Sequence, residues 1–158
     1  MYTCRPVRHE DFAVICTFPQ SEEELFFMFP SGTYPLAAAQ LEEAASKRWC
    51  PTVVTDDNGE LAGYANFYGY EEGKHCSLGN LIVAPQHRGK GAAVQLLQSM
   101  IEQARNELSV PRLLLVCHHT NPRALLFYNK LGFTPCGMNR MTNRSGEIIV
   151  GIQMEMKL

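Results

Sequence analysis

No stretch of the chain approaches the ~20 consecutive apolar residues that a membrane-spanning helix needs. The first residues, Met1 to Asp11, also lack the apolar segment of a secretory leader. The six cysteines (Cys4, Cys16, Cys50, Cys76, Cys117 and Cys136) form no Cys-x-x-Cys pair. Scattered thiols without a leader read as reduced packing residues of a cytoplasmic protein, not as a disulfide framework or a metal site. Neither sign of charge is in excess. A net charge of -2 gives no footprint for nucleic acid, and ordinary apolar content gives no argument for disorder. Repeats, linkers and low-complexity tracts are missing as well. What is left is one domain over residues 1–158, long enough to bury its own core.

One more absence is local. No acid occurs between Pro85 and Ile101, and this acid-free stretch contains the most informative run of the chain, Asn80-Leu-Ile-Val-Ala-Pro-Gln-His-Arg-Gly-Lys-Gly-Ala-Ala-Val94. It reads as the end of a buried strand (Leu78 to Val83), a break at Pro85, a basic glycine loop and a helix from about Ala92. Gly89 and Gly91 let the backbone turn so that several N–H groups face one small space. The helix N-terminus adds free donors and a partial positive charge, and Arg88 and Lys90 add full charges. Together these describe a site for a phosphate or pyrophosphate. It is not a dinucleotide fingerprint, because position 94 is Val94 where a third glycine is needed. It is not a P-loop either, because Lys90 is followed by Gly91.

The remaining chain is read from its periodicities. Tyr2 to Arg8 is a strand whose Pro6 suits a sheet edge, and His9-Glu-Asp11 opens a helical stretch. Ser21 caps a helix with an acidic first turn, which leads into Leu25-Phe-Phe-Met-Phe29. This aromatic cluster either covers the sheet or forms a wall of a substrate pocket. A further helix is expected over about Leu36 to Arg48. Thr52 to Thr55, a turn at Asp56-Asp-Asn-Gly59, Leu61 to Tyr70 and His75 to Val83 make an antiparallel meander. In Leu61 to Tyr70, a period of two groups Ala62, Tyr64, Asn66, Tyr68 and Tyr70 on one face. The helix after the loop, about Ala92 to Glu107, shows an apolar face of Val94, Leu97, Ile101, Ala104 and Leu108. Arg112 to Cys117 is apolar enough for a strand buried on both faces, parallel to the one before the loop. Asn121, Pro122 and Gly132 mark the start and stop of one more helix. Two strands joined at Asn143-Arg-Ser-Gly146 complete the chain, and they offer an edge for pairing into a homodimer.

The glycine loop resembles the pyrophosphate loop of the GNAT superfamily of acyl-CoA-dependent N-acyltransferases. That loop reads Arg/Gln-x-x-Gly-x-Gly/Ala after a strand ending Val-x-Pro, and here the residues are Arg88, Gly91 and Ala93 after Val83 and Pro85. A second segment is similar to the family's Asn-x-x-Ala-x-x-x-Tyr-x-Lys-x-Gly-Phe, with Asn121, Ala124, Tyr128, Lys130, Gly132 and Phe133 in place. The resemblance implies an α/β fold with a mixed, centrally splayed sheet of six or seven strands flanked by about four helices. It implies transfer of an acetyl group from acetyl-CoA, as co-substrate, to a primary amine on a small molecule or peptide, with no metal. By the same resemblance, backbone groups of Leu81, Ile82 and Val83 bind the pantetheine arm, and Arg88, Gly89, Lys90, Gly91, Ala92 and Ala93 hold the pyrophosphate. Asn121 hydrogen-bonds the arm, and Tyr128 protonates the departing thiolate.

The general base is not legible. Relatives carry a glutamate at positions that correspond to Ser77 or Val116 here. The candidates left are His75, His118 and His119, directly or through water, since imidazole titrates near neutral pH. The missing carboxylate also keeps two alternatives open, an acyl-CoA-binding sensor without turnover and an N-acyltransferase for a longer acyl chain.

Overall fold

Seven strands and five α-helices alternate along residues 1–158, all of which are described by the structure, a computed structural model. In chain order they are β1 (Thr3–Pro6), α1 (Phe12–Ile15), α2 (Glu22–Met28), α3 (Ala38–Ser46), β2 (Trp49–Thr55), β3 (Leu61–Glu71), β4 (His75–Val83), α4 (Ala92–Asn106), β5 (Arg112–His118), α5 (Pro122–Lys130), β6 (Thr134–Thr142) and β7 (Ile148–Lys157). Two 3-10 turns, His9–Asp11 and Pro85–His87, precede α1 and the glycine loop. The strands form one sheet in the order β1-β2-β3-β4-β5-β7-β6. Every pair is antiparallel except β4 with β5, which α4 joins as a crossing helix. The expected mixed sheet and its helices are therefore present, with β1 and its Pro6 at one edge. No helix is long and apolar enough to cross a membrane.

The parallel pair opens almost at once. β4 and β5 are in register only at Cys76–Leu113 and Ser77–Leu114. Beyond Ser77 the register of β4 against β3 shifts between Asn66–Gly79 and Tyr64–Ile82. Asn80 sits at this shift with φ +51°, an unusual conformation that asparagine tolerates better than other side chains. The extra residue bends β4 away from β5 and produces the central splay.

Apolar layers fill both faces. Leu96, Leu97, Met100 and Ala104 of α4 pack with Phe67, Leu113, Leu115 and Phe133 on one side, and α5 leans on the same layer through Ala124, Leu125 and Tyr128. On the other side α1, α2 and α3 bring Phe12, Ile15, Leu25, Phe29 and Leu41 onto Val53, Tyr64 and Ile82. Each fully buried leucine or phenylalanine contributes about 1.5–3 kcal/mol over its exposed state.

Two expectations need correction. The buried stripe of α4 is Ala92, Leu96, Leu97, Met100 and Ala104, whereas Val94 and Ile101 are only half-buried. The helix is rotated so that Leu96 and Met100, not Val94 and Ile101, flank Leu97 against the sheet. The period of two in β3 also fails. A register shift near Leu61 sends Ala62 into the α4 layer while Tyr64 enters the opposite one. At the other end Gly69, with φ +58°, turns Tyr70 back towards the α4 side. Bulges of this kind reset the alternation without a clear signal in hydrophobicity.

Candidate active site

The loop residues are built as the glycines require. Gly89 and Gly91 adopt φ +73° and +95°, where a side chain is strained whatever space surrounds it. Pro85 starts the turn before them and Ala92, buried at the base of α4, fixes the helix behind them. The first bond of the helix runs from the Gln95 N–H to the Gly91 carbonyl. The six N–H groups from Gly89 to Val94 therefore have no acceptor within the protein. Unpaired donors converging on a helix N-terminus suit a diphosphate, and the exposed Lys90 side chain stands free beside them. Arg88 behaves differently from its neighbours. Its Nη2 donates to Glu24 at 2.7 Å and its Nε to the Val83 carbonyl at 3.2 Å. The guanidinium is thereby turned from the loop towards α2, and Glu24, facing that cation, keeps its carboxyl below the usual range.

The opened strand supplies the next part. A bond from the Ala84 N–H to the Ala62 carbonyl, at 2.8 Å, sets which backbone groups of β4 face β3. By the alternation of an antiparallel ladder, Ile82 also faces β3, paired with Tyr64. Leu81 and Val83 have their N–H and C=O groups on the splayed side, where β5 has moved away. Ile82 does not join them, because its main chain is used by the ladder and its side chain by the core.

Between the splayed strands lies a cavity of about 310 Å³. Leu78 to Leu81, Leu115, Val116, His118 and Tyr128 form its floor and sides, and Phe27, Met28 and Arg48 close it from the helical side. The β6–β7 hairpin adds a roof. Arg144 donates to the Gly32 carbonyl and lies 5.9 Å from the Phe26 ring centroid. The aromatic cluster is divided: Met28 and Phe29 belong to the core, and Phe27, with Met28, lines the cavity.

Tyr128 is held by Phe127 and Phe133, with centroids 5.5 Å and 5.9 Å away. Burial first, then the neighbouring Cys117, pushes its hydroxyl well above the ordinary tyrosine range. Asn121 caps α5, its Oδ1 accepting from the Ala124 N–H at 3.3 Å, and its amide nitrogen makes no bond within the protein.

Of the three candidate histidines, one reaches the cavity. His118 is 4% exposed, ends β5 beside Tyr128, and lies against Phe26 at 4.8 Å. Its Nδ1 is buried without a partner. Burial, then His119, lowers its pKa, so it is a neutral imidazole at pH 7. His119 instead accepts from the Val150 N–H at 2.9 Å, and His75 stands near Glu71 at the far end of β4. Val116 lines the cavity as an uncharged side chain. Cys117 and Cys76 are pushed by burial to about 11 and about 12, which keeps both as thiols. One cluster of metal-ligand type, Asp56, Glu60 and His87, lies at the β2–β3 turn, outside the cavity.

Sequence reasoning missed a buried polar group here. Asn66 and Asn80 are 0% and 4% exposed, and both accept from Arg48 Nη1, at 3.1 and 2.8 Å. Asn80 also donates to the Met28 carbonyl at 2.9 Å. An asparagine between tyrosines in an apolar strand was the available signal.

Comparison with known proteins gives consistent results. The family described as "Acetyltransferase (GNAT) family" matches residues 16–133. An uncharacterized N-acetyltransferase, YobR of Bacillus subtilis, is 40% identical over 58 residues, 37% of this chain and 23% of that protein. The L-amino acid N-acyltransferase MnaT of Escherichia coli is 33% identical over 67 residues, 40% of this chain and 39% of that protein. The chain thus spans well under half the length of these two relatives. Among solved structures, a spermidine N-acetyltransferase of Vibrio cholerae, in complex with CoA and spermine, superposes with a TM-score of 0.84 at 21% identity. That likeness covers 99% of this chain and 95% of the other, and it concerns the fold.

Proposed function

The chain belongs to the GNAT acetyltransferase family, and from that premise we propose that it transfers an acetyl group from acetyl-CoA to a primary amine by direct attack. The observation that carries this is the order of three features along one strand and the helix after it. The splayed edge of β4 lines, at Leu81, the cavity that holds Tyr128 and His118, and it runs on into the turn that ends in six unpaired N–H groups at the α4 N-terminus. A bound acetyl-CoA supplies the thioester. The backbone from Gly89 to Ala93, with Lys90, binds the diphosphate through N–H groups, which need no rearrangement. Arg88 supports the loop through Glu24. Leu81 and Val83 offer main-chain partners to an amide-bearing arm, and the Asn121 amide lies beside it.

Within the cavity the residues divide the proton work. His118, neutral by burial, takes a proton from the acceptor ammonium, because only the free amine is a nucleophile. The need depends on the acceptor: a lysine-like amine of pKa ~10.4 is neutral in about one molecule in 2,500 at pH 7, an α-amine of pKa ~8 in about one in ten. A backbone N–H on the open side of β4 faces the oxygen that gains charge. Tyr128 keeps its proton at neutral pH and donates to sulfur as the C–S bond breaks. Full transfer from a phenol above ~10 to a thiolate near ~8.5 is uphill by at least about 2 kcal/mol, so Tyr128 acts first as a hydrogen-bond donor.

Calorimetric titration with acetyl-CoA, followed by thiol release over a panel of amines, tests the proposal. Binding, with release for at least one amine class, is the expected result. Binding with no release across the panel would favour a sensor, and absence of binding would overturn the assignment of the loop.

A further inference from the structure

Arg48 is the unusual residue of the cavity. It is half-buried just beyond α3, and no carboxylate lies within ion-pair distance of it. Its Nη1 is used by Asn66 and Asn80, and its guanidinium carbon sits 5.0 Å from the Tyr68 ring centroid. These contacts fix the plane of the group. Its Nε and Nη2 have no hydrogen-bond partner in the protein and are not buried, and Arg48 is part of the cavity lining. That edge is the two-donor fork which matches a carboxylate.

The surroundings are arranged to admit this cation. A Cβ on Gly79 would lie 2.7 Å from Arg48 Nη1 and 2.7 Å from the Tyr68 ring, so glycine is what lets the guanidinium rest against β4. The cavity lining includes no aspartate or glutamate. The nearest acids of α2, Glu22 and Glu24, face Arg144 and Arg88. A half-buried cation with two neutral acceptors is not electrically balanced within the protein. Burial accordingly lowers its affinity for a proton relative to an ordinary arginine.

We propose that Arg48 is the anion-binding element of the acceptor site, and that the acceptor is a small amino acid, an amine that also carries a carboxylate. This rests on the acetyl-transfer reading above and narrows it. The amine end meets His118 and the thioester near Tyr128, while the carboxylate takes the Nε/Nη2 edge of Arg48. A polyamine fits this chemistry poorly, since its second ammonium would face Arg48 with no acid to receive it. A lysine within a protein or a peptide N-terminus brings no carboxylate to the fork.

The test measures kcat/KM by thiol release for L-amino acids, each paired with the amine that lacks its carboxylate (phenylalanine with phenethylamine, methionine with 3-methylthiopropylamine), and for spermidine. At least one amino acid should exceed its decarboxylated partner by roughly 10²-fold. Arg48→Gln should remove that preference through KM, with acetyl-CoA affinity unchanged, and Arg48→Lys should restore part of it. Gly79→Ala, which retains Arg48 but displaces it, should also erode the preference, so the result does not depend on one variant folding. Equal use of the decarboxylated amines, better use of spermidine, or a preference surviving in Arg48→Gln would overturn the subsite and leave acetyl transfer intact. Acetyl-CoA binding without release from any amino acid would overturn it as well. Failure to bind acetyl-CoA would instead remove the reading on which the subsite rests.

Discussion

His118 and Tyr128 stand in the same cavity, and burial moves their proton affinities in opposite directions. The imidazole loses its proton more readily and the phenol holds its proton more firmly, which sets the protonation states that the proposed base and acid start from at pH 7, while making each intrinsically weaker. A base is competent when neutral. With the His118 pKa lowered, its activity should persist as pH falls through the ordinary histidine value of ~6.5 and decline only below it. At saturating acceptor, kcat should show an acid limb below that point, and His118→Gln should abolish the limb and lower kcat roughly 10²-fold or more. In the same assay Tyr128→Phe should lower kcat by roughly 10²-fold with acetyl-CoA affinity retained. An unaltered limb or unaltered turnover would remove the corresponding residue from the mechanism. Asn121 and Tyr128 were singled out through the family resemblance of one contiguous segment, in which they stand seven residues apart as cap and body of α5. Arg48 was not, since its partners Asn66 and Asn80 come from two strands that the bulge at Asn80 brings together.

At the scale of elements, α4 and its leading turn are the part that the sequence defines best. Proline, two glycines and an amphipathic run each have one local meaning there. The conformation of Gly91 makes a sharp test, because a Cβ at that position meets nothing within 4 Å. Gly91→Ala should therefore cost only the ~1–2 kcal/mol of a left-handed alanine. Relaxation of that strain would misdirect the N–H groups, so acetyl-CoA affinity should fall by at least about 10-fold in calorimetry while the fold persists. Undiminished affinity would take the loop out of diphosphate binding. Where elements depend on partners, sequence patterns failed: β3 carries two interruptions of its alternation, and the helical stretch from His9 shortens to a 3-10 turn and the four residues of α1. The Glu24–Arg88 contact, which joins α2 to the loop, spans 64 residues and leaves no local trace.

The whole molecule is a sheet with apolar layers on both faces, and its edge β1 is secured by a part-buried ion pair. Arg5 Nη1 and Nη2 donate to Asp11 at 2.7 and 3.0 Å, and the Arg8 N–H adds a third bond at 2.7 Å. Burial acts to raise the Asp11 pKa, but these donors outweigh it and the carboxyl ends below its ordinary value. A carboxylate with a lowered folded pKa stabilises above its unfolded value of ~3.9, and that contribution is lost as pH falls through the folded one. Asp11→Asn should thus cost about 1–3 kcal/mol at pH 7 in denaturant unfolding, with the difference shrinking as pH falls below ~3.9 and through the lower folded pKa. A difference that stays constant with pH would mean that the ion pair contributes shape alone. The meander and the parallel pair across α4 were legible in the periodicities, and the central splay through the family resemblance, whereas the placing of β7 between β5 and β6 was not. The depth of the splay was not, because it hangs on one asparagine with φ +51°.

That splay leaves the protein with a strand edge in the interior of its own sheet. Sheet proteins shield outer edges with charge, bulges or covering loops, because bare main-chain donors and acceptors recruit other strands. Arg88 covers the Val83 carbonyl, but the Leu81 groups and the Val83 N–H are flanked by apolar side chains and have no such protection. An amide-bearing ligand lying there would also act as its cover. Resistance to aggregation in this molecule is accordingly linked by mass action to the ligand concentration around it.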